Sequence, residues 1–162
     1  MAAPESMRRA LALGLVCAQL ILLAALVFVP HGSLWTVNGA TVATSIALGV
    51  VGAILAILGV VGLGPALTPS PIPRAQARLV TNRVYGLIRN PIYTGLMVGG
   101  LGLALFGRSV WHVAAWGALV VVLSVKTRWE ERMLAPEHPE YGEYAARVGR
   151  FVPGVGRLRP PN

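Results

Sequence analysis

Aspartate is absent from this chain of 162 residues, and its six acids are all glutamate. Charged residues make up 12%, about half of what a soluble domain carries. The scarcity is local. Residues 10–73 hold no Asp, Glu, Lys or Arg, and two further uncharged runs, residues 90–107 and 109–125, are separated only by Arg108. With 55% hydrophobic residues and a mean hydropathy of +0.65, this pattern excludes an ordinary soluble fold and predicts an integral membrane protein. Cysteine is nearly missing too. The single Cys17 excludes an intrachain disulfide and, in the middle of an apolar run, reads as a small packing residue. His31, His112 and His138 are too scattered for a zinc site.

What is there divides into spans. About 20 apolar residues cross ~30 Å of hydrocarbon, which places spans at residues 10–29, 40–63, 92–106 and 110–125. The last two are short, and "GRS" between them reads as a tight turn. A cleaved leader competes for the first run, because Arg8 and Arg9 precede it. That run is long for such a segment and no A-x-A-like site follows it. Thirteen of the fourteen basic residues fall on one side if the N-terminus is inside, with Arg108 alone outside. The expected topology therefore has four transmembrane helices, both termini cytoplasmic and one domain over residues 1–162. The net charge of +8 and pI near 11.1 fit membrane flanks facing anionic lipid rather than nucleic acid, since no groove-reading motif accompanies them.

The second span is rich in Gly and Ala, and Gly95 and Gly99 repeat a small-xxx-small spacing in the third, so these helices are expected to approach closely. The connection over residues 64–90 carries four prolines and then four arginines, with too many apolar residues (Leu79, Val80, Val84, Tyr85, Leu87, Ile88) for a freely solvated linker. After the fourth span the helix is expected to continue to Leu134 and to stop at Pro136, with Pro139 opening another helix. That short helix puts Tyr141, Tyr144, Ala145 and Val148 on one stripe, fit to lie on the bilayer or cap a pocket.

If spans three and four form a hairpin, Arg89, Asn90 and Tyr93 of "LIRNPIYTG" meet Lys126, Glu130 and Glu131 at one membrane edge. The order "LVTNRVYGLIRNPIYTG", a helical hairpin, "EERML" and "PEYGEYAARVGRFVP", over about residues 76–153, resembles the isoprenylcysteine carboxyl methyltransferase family and its relatives, the membrane phospholipid methyltransferases. The resemblance implies an all-α membrane fold whose C-terminal helix caps a cytosol-facing pocket for S-adenosyl-L-methionine, which leaves as S-adenosyl-L-homocysteine. By motif position the cofactor contacts would be Arg78, Leu79, Val80, Tyr85, Asn90, Pro91, Ile92, Tyr93 and Glu130. Lys126, Glu130, Glu131 and Arg89 would serve the reaction. A lipophilic substrate would enter from the bilayer, and a homodimer would complete a tunnel that four helices leave open.

Two positions depart from the family pattern. Its RHP is "RNP" here, and Asn90 cannot titrate near neutral pH. Lys126 stands where the family uses Arg and lacks the bidentate grip on a carboxylate. His138 is the one histidine placed to act as a base, although capping the Pro139 helix suits it better. Two other readings stay open: a non-catalytic membrane scaffold or lipid-binding protein, and an NADPH-dependent reductase of the sterol type, whose nucleotide phosphate the basic residues 74–89 would suit.

Overall fold

The computed structural model describes residues 5–64 and 79–159. Among them are five α-helices: α1 (Glu5–Phe28), α2 (Gly39–Leu63), α3 (Pro91–Gly107), α4 (Val110–Glu137) and α5 (Tyr141–Arg147), with a 3-10 turn at Arg83–Gly86 before α3. α1, α2 and α4 are long and apolar enough to cross a membrane; α3 is apolar but has only 17 residues.

Local chemistry sets the helix ends. Asn38 and Thr41 form a reciprocal capping box at the start of α2, each side chain accepting the other's backbone N–H at 2.9 Å. Pro91 opens α3, where its missing N–H costs nothing. Ser109 caps α4 by accepting from the N–H groups of Trp111 and His112. The expected tight turn is there: Arg108 takes a left-handed conformation (φ 51°) between α3 and Ser109. The α1–α2 connection lies across this turn, with Gly32 N–H donating to the Gly107 carbonyl and Leu34 N–H to that of Arg108.

Pro136 does not stop α4, which runs on to Glu137. A proline in the last turn removes one bond, to the Arg132 carbonyl, and the exposed end at residues 135–137 leaves that group to water. Pro139 likewise lies ahead of α5, in the turn closed by Tyr141 N–H donating to the His138 carbonyl.

Glycine does most to pack α2 against α3. A Cβ on Gly95 would lie 2.5 Å from the Gly52 carbonyl and 2.7 Å from the Ala56 nitrogen, and one on Gly102 would lie 2.7 Å from the Ser45 carbonyl. Backbones this close gain dispersion that a larger residue would block, and in lipid that is the main source of helix association. α1 packs on α4 instead. Leu26 joins Leu119, Leu123 and Ala104 in one buried cluster, and two turns away Gln19 meets Lys126. Moving down α1 from Leu26 to Gln19 thus moves up α4 toward Lys126, so the two helices run antiparallel. The expected stripe of α5 is buried: Tyr141, Tyr144, Ala145 and Val148 pack together against Leu79 and Leu134.

Candidate functional site: a polar cluster and a C-terminal strap

The segment ahead of α3 is tied down from both sides. Tyr85 is buried with its ring against Gly62, and its hydroxyl donates to the Gly59 carbonyl at 3.1 Å. Tyr144 of α5 donates in turn to the Tyr85 carbonyl at 2.6 Å. Burial, then the neighbouring Tyr144, push the Tyr85 phenol above its ordinary range. Burial also holds Tyr144 up to about 12. Past α5 the chain returns as a strap: Arg89 N–H donates to the Gly149 carbonyl and Asn90 N–H to that of Arg150. Thr94 Oγ1 donates to the Phe151 carbonyl at 3.0 Å.

Arg89 is the bolt of this strap. Its Nε donates to Glu131 Oε1 at 3.1 Å, Nη1 to the carbonyls of Ala145 and Val148, and Nη2 to that of Gly156, while Nη2 also lies 3.0 Å from Glu131 Oε1. Four hydrogen bonds and this ion pair hold the guanidinium, and the side chain is 1% exposed. Arg150 takes the other side of Glu131, with Nη2 at 2.7 Å and Nε at 3.1 Å from Oε2. Two guanidinium groups on one carboxylate, with three backbone carbonyls completing the set, satisfy a buried charge that would otherwise be costly.

Glu130 has a different task. Adjacent helical residues point about 100° apart, so Glu130 turns away from the strap toward α3. Tyr93 donates to its Oε1 at 2.7 Å, and among the described residues no ion pair reaches it. One turn before it on α4, Lys126 is 4% exposed. Its Nζ donates to Gln19 Oε1 at 2.9 Å and lies 5.0 Å from the Tyr93 ring centroid, over one face. The cluster Gln19, Tyr93, Lys126 and Glu130 therefore joins α1, α3 and α4, with a half-buried carboxylate at the hydroxyl of a phenol and a buried ammonium over its ring.

The structure divides the expected site residues. Tyr93, Glu130 and Lys126 come together. Arg89 and Glu131 lie in the clamp, and Asn90 joins it through Nδ2, 3.4 Å from the Arg150 carbonyl. Pro91 and Ile92 pack on Gly59, and Leu79 on the α5 cluster. Val80 is half-buried. Arg78 lies outside the described residues. His138 meets Glu140, with Nδ1 3.5 Å from Oε1. Sequence reasoning passed over Gln19 and Arg150. Gln19 had a signal, being the one side-chain amide in the charge-free run of α1; Arg150 had none, because its partner is set by the folding of the strap.

Known proteins share this arrangement of sequence. The chain is 35% identical over 87 residues to the cobalt-zinc-cadmium resistance protein CzcN of Cupriavidus metallidurans, covering 53% of this chain and 40% of that protein. Over 87 residues it is 30% identical to the nickel-cobalt-cadmium resistance protein NccN of Alcaligenes xylosoxydans xylosoxydans, covering 53% of this chain and 41% of that protein. The chain thus spans about two-fifths of the length of these curated relatives. No solved structure matches. The family model described as phospholipid methyltransferase matches residues 40–140, a stretch that runs from α2 through the Tyr93–Glu130 pair to the end of α4. The chain belongs to the phospholipid methyltransferase family.

Proposed function

We propose that this chain is a membrane methyltransferase that uses S-adenosyl-L-methionine and acts on a lipophilic acceptor drawn from the bilayer. The observation that carries the reading is Glu130, a half-buried carboxylate with a phenol as its hydrogen-bonding partner and no base paired to it among the described residues. Lys126 lies one turn away on α4, and a carboxylate with a single phenol on it keeps acceptor sites for the donors of a ligand. The cofactor fits that need: its amino and hydroxyl groups are donors, and its sulfonium is a cation.

Glu130 would hold those donors and Tyr93 would fix the carboxylate's orientation through its 2.7 Å hydrogen bond. Asn90 and Thr94 hold the strap to the start of α3; with the Arg89–Glu131–Arg150 clamp it would cover the bound cofactor and exclude water. Bound there, the cofactor would supply an electrophilic methyl group to the acceptor, with its sulfur as the leaving group. This chain's residues contribute positioning, water exclusion and charge rather than a covalent step. Four spans with both termini cytoplasmic and the site facing the cytosol complete the proposed arrangement, and a second copy would wall the acceptor's path.

The relatives carry names of metal resistance. Among the described residues no three His, Cys, Asp or Glu side chains are grouped to hold a metal ion. A role in such resistance would therefore run through methylation of a membrane component. The test is incubation of the purified protein in lipid nanodiscs with methyl-labelled S-adenosylmethionine. The proposal expects label in the organic phase, lost in Glu130→Ala. No transfer to any lipid extract, together with oxidation of NADPH, would replace it with the reductase reading.

A further inference from the structure

Past α5 the strap turns sharply, and what the turn exposes does not suit water. Arg150 N–H donates to the Val155 carbonyl at 2.8 Å and Val155 N–H to the Val152 carbonyl at 3.0 Å, closing a tight loop in which Gly154 takes a left-handed conformation (φ 79°). Phe151 is half-buried, but Val152 is 53% and Val155 63% exposed. The depth of this loop follows from α3. Seventeen residues span ~25 Å at ~1.5 Å each, less than the ~30 Å of hydrocarbon, so the first turn of α3 reaches the hydrocarbon edge and no further. The loop is tied to that turn by Thr94 Oγ1 on the Phe151 carbonyl and by Asn90 N–H on that of Arg150. Its charge is one-sided. No acid follows Glu143, and Arg157 and Arg159, directly after the loop, are exposed with no carboxylate partner among the described residues.

We propose that the loop over residues 150–155 is an interfacial anchor: Val152 and Val155 dip into the acyl boundary of the leaflet at the N-terminal end of α3, and Arg157 and Arg159 meet the anionic surface above it. The partner is an anionic lipid surface as a whole, met by apolar insertion and charge, and not a lipid held as substrate. This rests on the four-span arrangement above, and on neither the cofactor nor the acceptor. The stripe of α5 is buried with Leu79 and Leu134 against it, which leaves this loop, rather than α5, to face the bilayer. The anchor has a mechanical consequence. Arg89 Nη2 donates to the Gly156 carbonyl at 3.0 Å, one residue past Val155. A loop seated in the leaflet therefore keeps the clamp assembled, and a loop drawn out of it pulls on Arg89.

The test puts a nitrobenzoxadiazole label on single cysteines of the full chain, after Cys17→Ser. The positions are Val155→Cys, Glu143→Cys on the exposed side of α5, and Leu101→Cys, 37% exposed in the middle of α3. Each protein is placed in nanodiscs of phosphatidylcholine, with or without phosphatidylglycerol, that carry nitroxide lipids quenching at shallow or deep acyl positions. The Val155 label is expected to emit to the blue of the Glu143 label and to be quenched several-fold more strongly by the shallow nitroxide. Arg157→Glu with Arg159→Glu should reduce that quenching in phosphatidylglycerol while leaving the Leu101 label unchanged; no reduction overturns the anionic partner. A Val155 label quenched no more than that at Glu143, beside a Leu101 label quenched by the deep nitroxide, overturns the anchor alone. A Leu101 label that no nitroxide reaches sinks the four-span arrangement and the anchor with it. A blue-shifted Val155 label that no nitroxide quenches puts protein, not lipid, over the loop and overturns the anchor as well.

Discussion

Removing the bolt from the strap should open the C-terminal segment long before the bundle unfolds. Arg89→Ala deletes a guanidinium that is 1% exposed and serves Glu131 and the carbonyls of Ala145, Val148 and Gly156. Glu131 keeps Arg150 at 2.7 Å, so its charge is not orphaned, but three carbonyls lose their donor. Hydrogen bonds from a charged donor are worth ~1.5–3 kcal/mol each without adding fully. A net of about 3–4 kcal/mol raises the open population by two to three orders of magnitude, at ~1.4 kcal/mol per tenfold. Trypsin reads that population at Arg147 and Arg157, because cleavage of a locally opened segment follows its equilibrium when closing is fast. Arg89→Lys should rescue little, since an ammonium cannot span the carboxylate and three carbonyls. Arg150→Ala, at a side chain 19% exposed with Arg89 still on Glu131, should give a smaller increase. Cleavage of Arg89→Ala at the wild-type rate would refute the clamp.

Three further outcomes follow from the same geometry. Gly95→Leu puts a side chain where a Cβ alone would already meet the Gly52 carbonyl at 2.5 Å. It should lower the unfolding midpoint in detergent by several degrees, and an unchanged midpoint would show that α2 and α3 do not touch there. Tyr144 is held up to about 12 by burial, so the stability it lends is complete below pH ~10 and is lost as pH rises toward 12. Burial raises Tyr85 and Tyr141 further, so phenolate absorbance should set in near pH 12 with a component that Tyr144→Phe removes; an unaltered titration curve would contradict the buried hydroxyl. Tyr93→Phe removes the hydroxyl that orients Glu130 and should weaken S-adenosylhomocysteine about tenfold, read by calorimetry, while unchanged affinity would leave the phenol without a role.

The membrane character and the helix positions were legible because charge is missing over such long runs that no other compartment suits them. "RNP" and "GRS" marked the two ends of α3, since proline and a left-handed residue are tied to those positions whatever packs around them. The stripe on α5 was legible from its period. The division of labour at the site was not. Glu130 and Glu131 are neighbours in sequence, and only the fold of the strap sends one to Arg89 and Arg150 and the other to Tyr93. Gln19 was hidden for a related reason: which residue of α1 faces Lys126 is fixed by the antiparallel register of two apolar helices, and apolar surfaces alone leave that register open. Pro136 misled because it lies one residue before the end of α4, where a lost hydrogen bond and a ring clash distort only an exposed last turn.

The most direct measurement is calorimetric titration of the purified protein in detergent with S-adenosylhomocysteine, beside Glu130→Ala. The account predicts saturable binding by the wild type and a loss of tenfold or more in the variant, with the unfolding transition intact in both. Equal binding by the two proteins, or none by a well-folded wild type, would contradict it.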